Sequence, residues 1–246
     1  MRTSRLALAV ISGTLLFLGG ALPTVANSSG GQFQEVVFQH ARVGSSVGPG
    51  PEALTESDHF ILTNGGAGWS DGPPVEYVVT DAPSKSVERA IDQGIATMDG
   101  FITTRAFSHV QASGQINPCT GQPNSVRWLV GDGPGGELAF TAICVDPSAK
   151  EIVGFRIAFD SSEDWATDRD PQEVDPQKID LQNVATHEAG HVAGLDDISA
   201  PKDGCLTMYR YSSLGETQKR TPGWGDKLGL DNVYGPIDTT PGLCGS

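Results

Sequence analysis

The spacing of apolar residues divides the chain into strand-like and helix-like stretches. Residues 75–79 (VEYVV) predict a strand, and residues 125–130 (SVRWLV), 138–145 (LAFTAICV) and 151–159 (EIVGFRIAF) predict three more. After the first of these, Val87, Ala90, Ile91, Ile95 and Met98 recur at three- and four-residue spacing. That predicts a helix capped by Ser84 or Ser86 and running to about Phe101, with Met98 and Phe101 in the core. An acidic loop over 160–175 leads to a second helix from about 179 to 193, with Ile179, Val184 and Val192 as its apolar positions. A short third helix is expected over 225–234. The order is strand, helix, several strands, helix, loop, helix, which is an α+β class with a mixed sheet covered by helices. Residues 36–38 (VVF) are only a weak strand candidate. Residues 27–68 read as a pro-segment or flexible tail, with linker composition over 44–51 (GSSVGPGP), ahead of a single domain over 69–246.

Composition agrees with one domain: 246 residues at 38% hydrophobic can bury a real core, while 31 glycines and 16 prolines argue for many loops and against a helical bundle. Residues 1–26 carry the marks of a secretory signal: Arg2 and Arg5, an apolar run over 6–18, and Thr24-Val25-Ala26 as a small-residue site for cleavage after Ala26. The run is too short for a comfortable membrane span and is ended by Gly19-Gly20 and Pro23. The mature protein is therefore expected to be secreted, soluble, free of the membrane and monomeric. Loss of 1–26 removes two positive charges and moves the net charge from −14 to −16. Such acidity speaks against nucleic acid or anionic lipid as a partner and is compatible with bound hard cations. Four cysteines in an exported chain point to disulfides, with Cys119–Cys144 and Cys205–Cys244 favoured because each closes a local loop; no CxxC pair suggests a zinc site.

The chemistry concentrates on the second helix, in His187-Glu188-Ala189-Gly190-His191. Residues four apart share a helical face, so both imidazoles can reach one ion while Glu188 reaches a water on it. Zinc lowers the pKa of such a water to about 7, and a carboxylate beside it can act as general base and then as proton donor to the leaving amine. Gly194 can end the helix in a positive-φ conformation and turn the chain back beneath the ion. No histidine follows His191, so the third ligand is a carboxylate or one of the upstream histidines His40, His59 and His109. Asp197, six residues beyond His191, is preferred over Asp196 by spacing.

HEAGHVAGLDD resembles the metzincin zinc motif HExxHxxGxxH with aspartate in place of the last histidine, a departure similar to the snapalysin type of secreted bacterial metallopeptidase. Leu206-Thr207-Met208-Tyr209 resembles the Met-turn, in the form closest to matrixins. The segments DGPGGELA from Asp132, FDSSEDW from Phe159 and GDKLGLDNVYG from Gly225 resemble matrixin segments in the family's order, covering about residues 69–236. The resemblance implies a metzincin-like α+β fold, with a twisted mixed sheet, two long helices, a Met-turn at Met208 and a closing C-terminal helix. It implies structural calcium at Asp132, Asp160 and Glu163. It makes the strand at Ala139 the sheet edge to which extended peptide adds, and places Tyr209 in the wall of the substrate pocket. Two departures matter. Phe140 and Ala158 stand where matrixins carry histidines of a structural zinc, so none is expected. No cysteine precedes Cys119, so the matrixin cysteine switch is missing.

The expected activity is that of a zinc-dependent endopeptidase acting on protein or peptide substrates, with Glu188 catalytic and His187, His191 and Asp197 as ligands. The alternatives are a gluzincin with Glu216 as third ligand, a calcium-stabilised adhesion protein, and an inactive secreted binding module on the same fold, against which the intact Glu188 speaks.

Overall fold

The computed structural model describes residues 24–27, 33–43 and 56–241. The expected export signal therefore lies outside the described residues except for its last three positions. In chain order the elements are β1 (Thr24–Asn27), β2 (Gln34–Arg42), β3 (Val75–Thr80), α1 (Lys85–Asp99), β4 (Phe107–His109), β5 (Ser125–Leu129), β6 (Glu137–Asp146), β7 (Glu151–Asp160), β8 (Trp165–Ala166), β9 (Ile179–Asp180), α2 (Leu181–Val192), β10 (Tyr211–Ser212) and α3 (Trp224–Tyr234). The main sheet runs β1-β2-β6-β7-β5-β3-β4, with β10 beside β2. It is mixed: β2, β6 and β7 are antiparallel to their neighbours in turn, while β7, β5, β3 and β4 run parallel. The α+β expectation holds, and every strand and helix expected from residue 75 onward is present.

Two helices cover one face of the sheet. Ser84 caps α1, its hydroxyl accepting from the Val87 N–H at 3.3 Å. The α1 stripe Val87, Ala90, Ile91, Ile95 and Met98 is buried against α2 and the sheet. α2 is different: almost every residue of it is buried, so it is a central helix and not a surface one. It begins two residues later than the spacing predicts, because Ile179 and Asp180 pair with Trp165 and Ala166. The Asp180 carboxylate does not cap the helix; it takes the Arg220 guanidinium at 2.5 and 2.8 Å.

Cys119 and Cys144 are bonded. Cys205 is also disulfide-bonded, and its expected partner Cys244 lies outside the described residues.

The segment expected to be a pro-segment or tail is in part built into the body. β2 is nine residues long, with Val36, Phe38 and His40 buried in period two, and it pairs with β6 from Gln34 opposite Val145 to Ala41 opposite Glu137. Further on, the Thr63 N–H donates to the Gly194 carbonyl at 2.9 Å, and the Glu56 carboxylate accepts from the Trp224 N–H at 2.9 Å.

Candidate active site

α2 and the chain after it build the site. The His187 Nδ1–H donates to the Thr207 carbonyl at 2.7 Å, and the His191 Nδ1–H to the Leu195 carbonyl at 3.0 Å. Because a carbonyl only accepts, both rings carry their proton on Nδ1 and turn Nε2 inward. The two Nε2 atoms lie 3.1 Å apart. After α2 the chain reverses at Gly194, whose φ of +95° favours glycine; a Cβ there would also lie 2.3 Å from the Ala67 carbonyl oxygen. The reversal brings Asp197 Oδ1 to 3.4 Å from His187 Nε2 and 3.5 Å from His191 Nε2. Asp196 points elsewhere, its Oδ1 accepting from the Asp197 N–H at 2.7 Å.

These three separations suit a zinc ion. A tetrahedral ion with ligand bonds of about 2.1 Å has ligand–ligand edges of about 3.4 Å. Charge tells the same story. Burial lowers His187 to about 4, with Asp197 only partly opposing. Burial also acts to lower His191, but Asp197 and Glu188 outweigh it and raise that imidazole. Burial acts to raise Asp197, yet the His191 charge and the contacts of both imidazoles hold it well below the usual carboxylate range. Together the three groups are set to hold one positive charge at their centre. A cation there can supply that charge. Asp197 Oδ1 is buried with no hydrogen-bond partner, as a ligand atom would be.

Glu188 is fully buried beside this cage. The Thr141 hydroxyl of β6 donates to its Oε2 at 2.6 Å, while Oε1 has no partner. Burial pushes the carboxyl up to about 7, against the pull of the His191 charge and the Thr141 hydrogen bond. That is a suitable range for a group that takes and returns a proton near neutrality.

Met208 sits under α2, its Sδ so close to Gly190 that a Cβ there would be 2.2 Å away. Its turn is held by a buried carboxylate: Asp226, in the first turn of α3, accepts from the N–H groups of Thr207 at 2.7 Å, Met208 at 3.2 Å and Gly223 at 2.8 Å. Lys219 holds the segment after the turn. Its buried Nζ donates to the carbonyls of Tyr209, at 2.6 Å, and Tyr211, and pairs with Glu216 at 3.3 Å. Glu216 is thereby engaged away from the cage. Tyr209 is buried in this segment. Ala139 lies on β6, opposite His40 of β2.

The other upstream histidines are remote from the cage: His59 pairs with Asp203 at 2.7 Å and His109 with Asp92 at 3.0 Å. His40 is not remote, its ring centroid lying 3.9 Å from that of His187. Among the described residues, the groups of three whose ligand atoms lie within 4.8 Å of one another are His187–His191–Asp197 and His40–His187–Glu188. Asp132, Asp160 and Glu163 do not form such a group. They wrap one glycine-rich loop instead. Asp160 accepts from the N–H groups of Gly131 at 3.0 Å, Gly133 at 3.3 Å and Ser162 at 2.8 Å, Glu163 from Gly135 at 2.5 Å, and Asp132 from Glu137 at 3.1 Å.

Sequence reasoning did not single out Thr141, Asp226 or Lys219. Asp226 carried a usable signal, being an acidic residue in the first turn of an expected helix. Lys219 and Thr141 carried none, because their partners come from other elements.

The matrixin family model matches residues 77–235. The chain is 34% identical over 110 residues to human matrix metalloproteinase-25, which is 45% of this chain and 18% of that protein. It is 36% identical over 81 residues to metalloendoproteinase 4-MMP of Arabidopsis thaliana, which is 32% of this chain and 22% of that protein. The matched stretch thus spans about a fifth of the length of these curated relatives.

Proposed function

The chain belongs to the matrixin family and has an α+β metzincin fold, and on that premise we propose that it is a secreted zinc-dependent endopeptidase with His187, His191 and Asp197 as metal ligands. The aspartate in third place is the snapalysin-type feature of the reading. Zinc bound there would supply an acidified water and polarise the scissile carbonyl. Glu188 takes the proton of the attacking water on its open Oε1 and passes it to the leaving amine, while Thr141 holds Oε2 and so fixes the direction of Oε1. The main chain of β6 at Ala139 binds extended peptide by strand addition, and the segment from Tyr209, braced by Lys219, forms the wall of the pocket beside it. Residues 27–68 serve as the pro-segment and 69–246 as the catalytic domain. Calcium at Asp132, Asp160 and Glu163 braces the 131–137 loop. Among the described residues no helix is long and apolar enough to cross a membrane.

The observation that carries this reading is the convergence of two inward Nε2 atoms and one unpartnered carboxylate oxygen, beside a glutamate with one free oxygen. The test is elemental analysis by mass spectrometry together with casein hydrolysis by the activated chain. We expect one zinc per chain, loss of both metal and activity with a chelator, and return of both with zinc. Glu188→Ala should keep the zinc and lose about 10²- to 10⁴-fold in rate. A chain without zinc, or a Glu188→Ala variant as active as wild type, would refute the proposal. An inactive binding module would hold zinc and never hydrolyse casein.

A further inference from the structure

The edge of β6 that is expected to receive substrate is already paired. β2 lies along it antiparallel, with Phe38 opposite Thr141 and His40 opposite Ala139. On its other side β2 runs parallel to β10, and the Val43 N–H donates to the Ser212 carbonyl at 3.0 Å. The strand is thus clamped between β6 and the pocket wall, in the slot an extended peptide would enter. Its inward side chains cover the metal cage. The Phe38 ring stacks on His191 at 4.0 Å with 6° between planes, and the His40 ring lies 3.9 Å from His187. His40 is fully buried; its Nε2 is 2.9 Å from the Ser212 hydroxyl, and its Nδ1 has no partner. The pairing with β6 shifts register between His40 and Ala41, a bulge of the kind that re-aims a side chain.

We propose that residues 33–43 are an internal blocker of the cleft, seated as a substrate strand would be, with His40 as the residue that closes the metal site. The inference rests on the peptidase reading above and adds a latent state to it. A chain without the thiol of a cysteine switch reaches latency by strand addition, and an imidazole stands where the attacking water must enter. Activation then requires that the strand leave, which a cut in the GSSVGPGP stretch permits because β2 is otherwise held only by non-covalent contacts.

The test uses the full chain with a site for a specific protease placed in residues 44–55 and cut after folding. Cutting followed by dilution should raise hydrolysis of a peptide substrate at least tenfold. His40→Ala in the uncut chain should raise it as well, and Phe38→Ala provides a second variant should the first fail to fold. A second measurement does not depend on turnover. In the Glu188→Ala background, a dye-labelled peptide of residues 33–43 should bind the cut and diluted protein but not the uncut one. The peptide carrying His40→Ala should bind at least tenfold more weakly. Equal hydrolysis by cut, uncut and His40→Ala chains would overturn the proposal and leave the peptidase reading standing. Binding of the peptide without any hydrolysis would keep the strand as occupant of the slot but sink the peptidase reading, and the latent state with it. Absence of peptide binding to the cut protein would overturn the blocker outright.

Discussion

The molecule gathers acidic groups in two places, and it treats them in opposite ways. In the cage, Asp197 Oδ1 and Glu188 Oε1 are buried without hydrogen-bond partners, and two imidazole nitrogens face each other at 3.1 Å. In the loop over 131–137, Asp132, Asp160 and Glu163 each accept backbone N–H groups of the loop or its flanks. A buried polar atom left without a partner costs about 1–3 kcal/mol, so a fold keeps several together only where something else satisfies them. The cage therefore offers atoms that no hydrogen bond holds, as a site for an ion would. The loop must surrender hydrogen bonds to do the same. Spacing along the chain cannot separate these cases; the partners of Asp197 on one side and of Asp132, Asp160 and Glu163 on the other can.

The sharpest way to break the contrast is within one dipeptide. Asp196 and Asp197 are chemically identical neighbours, but only Asp197 faces the imidazoles, while Asp196 accepts from its neighbour's N–H. Asp197→Ala should weaken zinc binding by more than about 100-fold, measured by competition with a chromogenic chelator. Asp196→Ala should weaken it by less than about tenfold. Equal losses would mean that the unpartnered oxygen of Asp197 does not mark a ligand.

Legibility in the sequence follows the same divide between local and distant causes. α1 shows in its three- and four-residue spacing and the Ser84 cap, because both are properties of consecutive residues. The two histidines of α2 share a face by helical geometry alone, and Gly194 announces the turn that delivers Asp197. β2 was hardly visible. Its period-two burial runs Val36, Phe38, His40, and a histidine does not read as an inward residue until Ser212, 172 positions away, is known to face it. Lys219 is hidden for the same reason: a lysine with no exposed surface makes sense only once the carbonyls of Tyr209 and Tyr211 are seen around its ammonium. The late start of α2 belongs with these, since the pairing of Ile179 with Trp165 is a tertiary event.

Asp226 is an intermediate case that sharpens the comparison. Like the loop carboxylates it accepts several N–H groups, but like the cage it is wholly buried. Burial wins, pushing it up to about 6 from a usual 3.8, against the donors of Thr207, Gly223 and Met208. A carboxyl whose folded pKa is raised binds protons more tightly in the folded state, so its stabilising effect is complete below about pH 4 and is lost as pH rises through about 6. Wild type should therefore lose stability relative to Asp226→Asn across that window, by on the order of 2–3 kcal/mol at most. Denaturant unfolding of both proteins between pH 4 and 7 reads the difference. A difference that stays flat would show that the three N–H groups, and not burial, set the charge of this carboxyl.

The smallest expected effect tests the loop itself. If Asp132, Asp160 and Glu163 exchange backbone N–H groups for calcium, the ion competes with bonds already made, and affinity should fall in the weak extracellular range of about 10⁻⁴–10⁻³ M. At about 10 mM calcium that linkage amounts to roughly 1.4–2.7 kcal/mol, a rise of several degrees in melting temperature. The zinc content should not change, because the cage draws on none of these side chains. Asp160→Ala removes the carboxylate that holds Gly131, Gly133 and Ser162, and should abolish the calcium response while lowering the starting stability. A melting temperature indifferent to calcium in wild type would mean that these carboxylates stay with the backbone and that this loop takes no metal.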